Sequence, residues 1–227
     1  MPIYKKVNKL FFRKWSQNMA YVLGFIAADG TITLTRRGTH FWSINISDKD
    51  LIYKIRSLIE SNHAVSKRQK FSSKHKQLYR IQIGSKEMCI DLINLGFKYK
   101  KASCMVVPNI SYEYYSSFVR GYFDGDGNVW MGYLNKHRNK PTLVLQSAFT
   151  SCSWKFLLGI RDILLNAGLG RGTLYSLKDS NAHRLQYSTK DSLKLSHYMY
   201  NSTNDENNLY LKRKKMVFDR FEKKMQR

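Results

Sequence analysis

Acidic residues are what this chain has least of relative to its needs. Its 227 residues carry 16 Asp and Glu against 39 Lys and Arg, a formal net charge of +23. Such a surplus calls for a polyanionic partner: DNA, RNA or an anionic membrane surface. Long apolar runs are also missing. No stretch is long enough to span a bilayer, and the basic N-terminus is not followed by an apolar segment with a cleavage site. A membrane partner and secretion are therefore not expected, and the compartment stays unknown, with a bacterial cytoplasm and an organelle matrix as the intracellular candidates. Cysteine is scarce: Cys89, Cys104 and Cys152 lie far apart and form no CxxC. That speaks against a zinc ribbon or disulfide framework and leaves reduced thiols. Proline occurs three times, whereas Tyr, Phe and Trp number 15, 12 and 4. A chain so rich in aromatics is not a disordered basic tail. Its length suits one domain or two of about 110 residues, either able to bury a core.

What is present is a phrase that occurs twice. Residues 21–30 read Tyr21-Val22-Leu23-Gly24-Phe25-Ile26-Ala27-Ala28-Asp29-Gly30, and residues 118–127 read Phe118-Val119-Arg120-Gly121-Tyr122-Phe123-Asp124-Gly125-Asp126-Gly127. As helices, each copy puts two small residues on one face: Gly24 with Ala28, and Gly121 with Gly125. That spacing lets two helix backbones approach closely. Gly30 and Gly127 stand where a helix-terminating C′ glycine would. A carboxylate beside the negative end of a helix dipole is disfavoured unless a cation offsets it. One copy would pass for a buried helix with an ordinary Asp-Gly stop. Two in register point to a helix pair with cations at its end.

The rest of each half follows one order. After Gly30, Ile32 and Leu34 alternate with threonines, Arg36-Arg37-Gly38 makes a turn, and Trp42, Ile44 and Ile46 alternate with Ser43 and Asn45. Ser47 or Asp48 caps a helix bearing Leu51, Ile52 and Ile55. A basic loop leads to a strand in which Arg80 and Gln82 alternate with apolar residues, and Ser85 caps a helix that ends at Gly96. The second half has strands near 128–134 and 142–149, a helix near 153–167, strands near 173–177 and 183–188, and a helix near 190–200. A basic helix closes the chain. The expected fold class is α+β: two pseudo-symmetric αββαββα repeats, over residues 1–105 and 106–227, joined by a linker near 103–115 that contains Pro108. No acid occurs between Glu60 and Glu87 or between Asp126 and Asp162. The basic runs that fill those gaps, including Arg138 and Lys140, suggest a docking surface shared by the two halves. A β-ribbon fits the DNA major groove, where Arg suits guanine and Gln suits adenine. Arg36, Arg37, Arg80, Gln82, Arg138, Lys140, Arg184 and Gln186 are the candidate DNA contacts.

Both phrases resemble the LAGLIDADG motif of homing endonucleases, in the single-chain form with two motifs. The second copy matches closely through Gly121, Asp124, Gly125, Asp126 and Gly127. The first departs at Ala27, where the motif's first Asp would stand. The resemblance implies that the motif helices pack at the centre, beneath antiparallel sheets that form a DNA-binding saddle. Asp29 and Asp126, with the backbone carbonyls of Ala28 and Gly125, would be the metal ligands, and all-oxygen donors suit Mg²⁺, with Mn²⁺ a substitute. By the same resemblance each strand of double-stranded DNA is cut across the minor groove, leaving 3′ overhangs. A basic residue of each half lies near the centre in that family, which points to Lys101 and to Lys212, with Lys214 as its competitor. Polar residues at the ends of second strands point to Asp48 and Ser151. Asp124 is read as structural or as a supporting residue behind the metal ligand, not as a ligand itself. The six histidines are scattered and none is placed for general-base work. The function expected is a monomeric, site-specific DNA endonuclease. Two other readings stay open: a DNA-binding regulator without cleavage, and an RNA-binding maturase acting on its host intron RNA.

Overall fold

The computed structural model describes residues 5–69, 76–99, 104–135, 140–201 and 209–226. The first repeat runs α1 (Gln17–Asp29), β1 (Gly30–Leu34), β2 (His40–Ile46), α2 (Lys49–Leu58), β3 (Val65–Lys67), β4 (Tyr79–Gly84) and α3 (Lys86–Asn94). After a 3₁₀ turn at Tyr112–Tyr114 the order recurs: α4 (Tyr115–Asp126), β5 (Gly127–Leu134), β6 (Thr142–Ser151), α5 (Trp154–Asn166), β7 (Thr173–Ser176), β8 (His183–Tyr187) and α6 (Thr189–Tyr200), followed by α7 (Lys212–Met225). The protein is thus α+β, with two antiparallel sheets of the same strand order, β1-β2-β4-β3 and β5-β6-β8-β7. Among the described residues no helix is long and apolar enough to cross a membrane.

Two compact units emerge, and they interleave along the chain. Unit 1 comprises Met1–Lys101, Pro108–Gly125 and Asp205–Leu209; unit 2 comprises Ala102–Val107, Asp126–Asn204 and Tyr210–Arg227. The sequence repeats divide the chain differently, because α4, the opening helix of the second repeat, packs with α1 and is counted with unit 1. In unit 1 the apolar face of the sheet (Ile32, Trp42, Ile44, Ile81, Ile83) is buried with Leu51, Ile52 and Ile55 of α2 and Met88 and Leu92 of α3. In unit 2, Leu145, Phe149, Leu185 and Tyr187 are buried with α5, α6 and α7. Burying each apolar side chain is worth about 1.5–3 kcal/mol, so these faces dominate folding.

Local signals hold the helix starts. Ser16, Asp48, Ser85 and Ser153 each accept a hydrogen bond from the backbone N–H three residues on, satisfying donors that the first helical turn leaves open. Gly96 and Gly168 end α3 and α5 with φ of 93° and 84°, a backbone that favours glycine. Gly30 departs from the expectation. Its φ and ψ are −86° and 156°, extended rather than left-handed, and it is the first residue of β1. Gly127, likewise the first residue of β5, is absent from the left-handed glycines. Helix passes straight into strand, and Gly30 is required there because a Cβ would lie 2.6 Å from Cγ2 and 2.7 Å from the carbonyl oxygen of Ile26. The basic N-terminal arm is also tied down: Lys9 pairs with Glu87 at 2.9 Å, Arg13 with Asp91 at 2.9 Å, and Phe12 is buried against Trp42. Glu87 is consequently held down to about 2 by the hydrogen bond from Lys9.

Candidate functional site

The site begins with how α1 and α4 cross. A Cβ at Gly24 would collide with the Phe118 carbonyl oxygen and lie 2.9 Å from the Tyr122 nitrogen. A Cβ at Gly121 would collide with the Tyr21 carbonyl oxygen and lie 3.0 Å from the Phe25 nitrogen. The two sets of contacts are equivalent under exchange of the motif copies, so the crossing is locally two-fold. One turn further on, Gly125 packs on Ala28, and a Cβ at Gly125 would stand 3.2 Å from Asp29 Oδ2. A side chain at 125 would collide with the Ala28 methyl and crowd the Asp29 carboxylate.

That crossing explains Ala27. Tyr21 donates its hydroxyl to Asp124 Oδ2 at 2.8 Å, between two side chains that are both buried. The position equivalent to Tyr21 in the second copy is Phe118, which has no hydroxyl, and the position equivalent to Asp124 is Ala27. A carboxylate at 27 would be buried without that donor, at a cost of several kcal/mol. The Tyr-with-Asp and Phe-with-Ala combinations are thus two self-consistent solutions. Asp124 is structural, inside a polar cluster in which Arg120 lies 5.5 Å from the Tyr21 ring and its Nη2 donates to Ser117 Oγ at 3.4 Å. Ser117 in turn donates to Gln17 Oε1 at 2.6 Å.

Asp29 and Asp126 are the last residues of α1 and α4, and neither helix has a basic residue in its last turn. Asp29 is half-buried and Asp126 exposed. Among the described residues no group of three or more His, Cys, Asp and Glu gathers. The donors near each aspartate are hard oxygens, a carboxylate and the carbonyls of a helix C-terminus, which fit an oxygen-seeking cation better than a soft one. In unit 2, Lys214 is 5% exposed and its Nζ donates to the Gly127 carbonyl at 2.5 Å, one residue beyond Asp126. Lys212 is exposed. Between these competitors, the lysine that reaches the end of the motif helix is Lys214. Lys101 and Arg138 lie outside the described residues.

The strand-end candidates lie off the polar faces of the sheets. Asp48 uses its carboxylate to cap α2, accepting from Leu51 N at 2.9 Å. Ser151 is buried on the core face of its sheet and accepts from Ser153 N at 3.1 Å. Register explains this: Gly30 pairs with Ile44 and Gly127 with Phe149, so the counterpart of Asp48 is Ser153, and that of Ser151 is Ile46. The polar-face residues at those strand ends are Asn45, opposite Arg80, and Thr150, opposite Arg184. Sequence reading passed over both. The alternation that puts Asn45 opposite in sense to Ile44 and Ile46 was the signal that could have found it.

The polar faces themselves agree with the alternation read from sequence. In unit 1, Thr31, Thr33, Ser43, Asn45, Ser66, Arg80 and Gln82 share one face. In unit 2 the matching face holds Asn128, Trp130, Gln146, Ala148, Thr150, Tyr175, Arg184 and Gln186. Arg80 with Gln82 and Arg184 with Gln186 occupy equivalent registers. Arg36 and Arg37 form the exposed β1–β2 turn, and Lys140 is exposed before β6. Tyr175 donates to Gln186 Oε1 at 2.7 Å, which orients that amide.

Residues 16–91 match the family described as LAGLIDADG-like domain. No curated protein matches the chain. Solved structures do. The LAGLIDADG homing endonuclease I-SmaMI bound to cleaved DNA superposes with a TM-score of 0.62 at 10% identity, over 94% of this chain and 90% of that one. I-LtrWI bound to target DNA gives 0.58 at 12% identity, over 96% and 92%. Mesophilic variants of I-DmoI give 0.57 at 15% identity, over 82% and 97%. At these identities the likeness is one of fold, and it extends over both halves of the chain.

Proposed function

From a chain whose residues 16–91 are a LAGLIDADG-like domain and whose whole fold is that of the LAGLIDADG homing endonucleases, we propose a site-specific double-strand DNA endonuclease. The observation that carries the reading is the pair of helices crossing through Gly24 and Gly121, each ending in an aspartate with no basic side chain in its last turn. Asp29 and Asp126, with the carbonyls of Ala28 and Gly125, are the ligands for Mg²⁺, and Mn²⁺ substitutes. A divalent cation there supplies charge neutralisation at the scissile phosphate and a lowered pKa for water.

The chain's own residues do the rest. Lys214, fixed by the Gly127 carbonyl, adds positive charge where the phosphate becomes more negative during attack. The polar sheet faces bind base edges in the major groove, with Arg80, Gln82, Arg184 and Gln186 as readers, while Arg36, Arg37 and Lys140 hold phosphates. One chain supplies both motifs, so the enzyme works as a monomer. It cuts each strand once across the minor groove, leaving 3′ overhangs, in a target of about 20 bp. A net charge of +23 makes binding fall steeply with salt.

The test is cleavage of duplex DNA made by joining the sequences that flank the gene or its host intron, in Mg²⁺ and in Ca²⁺. A Mg²⁺-dependent double-strand cut, abolished by Asp29→Asn and by Asp126→Asn while binding persists, is the expected result. Lys214→Met should slow cutting far more than Lys212→Met. Tight, specific binding without a cut in Mg²⁺ or Mn²⁺ would refute the enzyme and leave a regulator. Binding only to intron RNA would leave a maturase.

A further inference from the structure

The two sheets carry the same Arg and Gln readers but different floors beneath them. In unit 1, Ser43 lies between β1 and β4 on the polar face. Its hydroxyl hydrogen-bonds Thr31 Oγ1 at 2.9 Å and accepts from Arg80 Nη2 at 3.3 Å. This chain of hydroxyls fills the floor and ties the guanidinium down to the sheet. The register equivalent of Ser43 in unit 2 is Ala148, opposite Gln186. Ala148 offers a methyl and no hydroxyl. Arg80 and Arg184 alike have a buried Nε without a hydrogen-bond partner, so the two sheets differ at the hydroxyl beneath the guanidinium. Around Ala148 an open recess forms, lined by Asn128, Trp130, Gln146, Arg184 and Gln186.

Trp130 makes one wall of that recess apolar. Its indole lies back along its own strand over Gly132, where a Cβ would lie 2.7 Å from Cη2 and 3.0 Å from Cε2. Trp130 remains 45% exposed on the face that carries Arg184 and Gln186. The recess therefore combines an alanine methyl and an indole face with amide and guanidinium donors at its rim. Among base edges in the major groove, thymine alone offers a methyl group beside a carbonyl acceptor; cytosine has a donor there and no methyl.

The geometry points to a thymine-methyl site in unit 2: Ala148 and Trp130 receive the 5-methyl, and an amide or guanidinium at the rim donates to O4. In unit 1 the equivalent place presents the Ser43 hydroxyl, bonded to Thr31 and Arg80. The inference rests on the DNA-binding reading above and adds which base edge one sheet reads, and why the two half-sites differ.

Two libraries of randomised duplex DNA, one amplified with dTTP and one with dUTP, are bound to the full-length protein in Ca²⁺ and sequenced after selection. Uracil pairs as thymine does and lacks only the methyl. Both libraries should yield one motif, with a thymine preference at one position that relaxes in the dUTP library. Duplexes carrying single T-to-U changes should then bind about fourfold more weakly at that position, the worth of one buried methyl. Ala148→Ser should abolish the T-to-U difference. Trp130→Ala should reduce the same difference. Equal binding of thymine and uracil duplexes at every position, or a T-to-U effect that survives Ala148→Ser, overturns the inference and leaves the DNA-binding reading intact. Failure of both libraries to enrich a motif overturns that reading, and the inference with it.

Discussion

Substituting Gly24 by alanine isolates the contact on which the motif helices depend. Alanine is the better helix former by about 1 kcal/mol, so in an open helix the change would stabilise. Here the added methyl collides with the Phe118 carbonyl oxygen and stands 2.9 Å from both the Phe118 carbon and the Tyr122 nitrogen. All three atoms are backbone, so no rotamer change relieves the overlap. The helices must separate by roughly 1 Å or more before the methyl reaches ordinary contact at about 3.5 Å. Overpacking of this kind costs about 1–3 kcal/mol, and separation also loosens the buried Tyr21–Asp124 hydrogen bond. A net destabilisation of about 2–4 kcal/mol is expected, read from urea unfolding with an unchanged m-value. Gly121→Ala should cost about as much, because its contacts with Tyr21 and Phe25 are the exchanged copies of the same ones. The double variant should cost less than the sum, since helices already displaced by one methyl admit the second more cheaply. Single variants within about 0.5 kcal/mol of the parent, or strict additivity, would refute the close crossing.

Three further outcomes follow from other parts of the molecule. Tyr21→Phe removes the donor to a buried carboxylate and should cost about 1–3 kcal/mol; Tyr21→Phe combined with Asp124→Ala recreates the Phe-with-Ala pairing and should be milder than Asp124→Ala with Tyr21 retained, as a double-mutant cycle by denaturation would register. Cys104 and Cys152 are exposed, whereas Cys89 is buried and its thiol is pushed up to about 11 by burial, so a disulfide reagent at pH 8 should titrate two thiols in the native protein and a third only on unfolding. His63 is buried and its pKa is lowered from 6.5, chiefly by burial and then by the charge of Lys5. A depressed histidine favours the folded state fully above about pH 6.5 and loses that contribution as pH falls through the folded value, so melting temperature should drop from pH 7.5 to 5.5 and His63→Gln should flatten the slope.

Several features were legible without coordinates because they are set by neighbours in the chain. Helix caps at Ser16, Asp48 and Ser85 depend on residues three positions apart, and alternation along 79–84 fixes which side chains oppose the core. The repeated phrase announced two helices with small residues on one face, and the register places Arg80 with Gln82 and Arg184 with Gln186 at matching positions on polar faces, as that alternation required.

Other features depend on partners far away in sequence, and only the tertiary structure decided them. Lys212 and Lys214 are indistinguishable by composition; one is exposed and the other buried because the Gly127 carbonyl, 87 positions earlier, meets Lys214. Ser151 read as a polar strand end, yet pairing of β5 with β6 turns it to the core and turns Thr150 to the polar face. Gly30 read as a left-handed helix stop, yet its backbone is extended and the crowding comes from Ile26 one turn before it. Ser43 and Ala148 are unremarkable in the sequence. Their equivalence exists only once strand register sets them at matching positions, with Thr31 and Arg80 bonded to the serine hydroxyl and the alanine lining a recess. Periodicity determined what faces the core; pairing and crossing determined what each face can do.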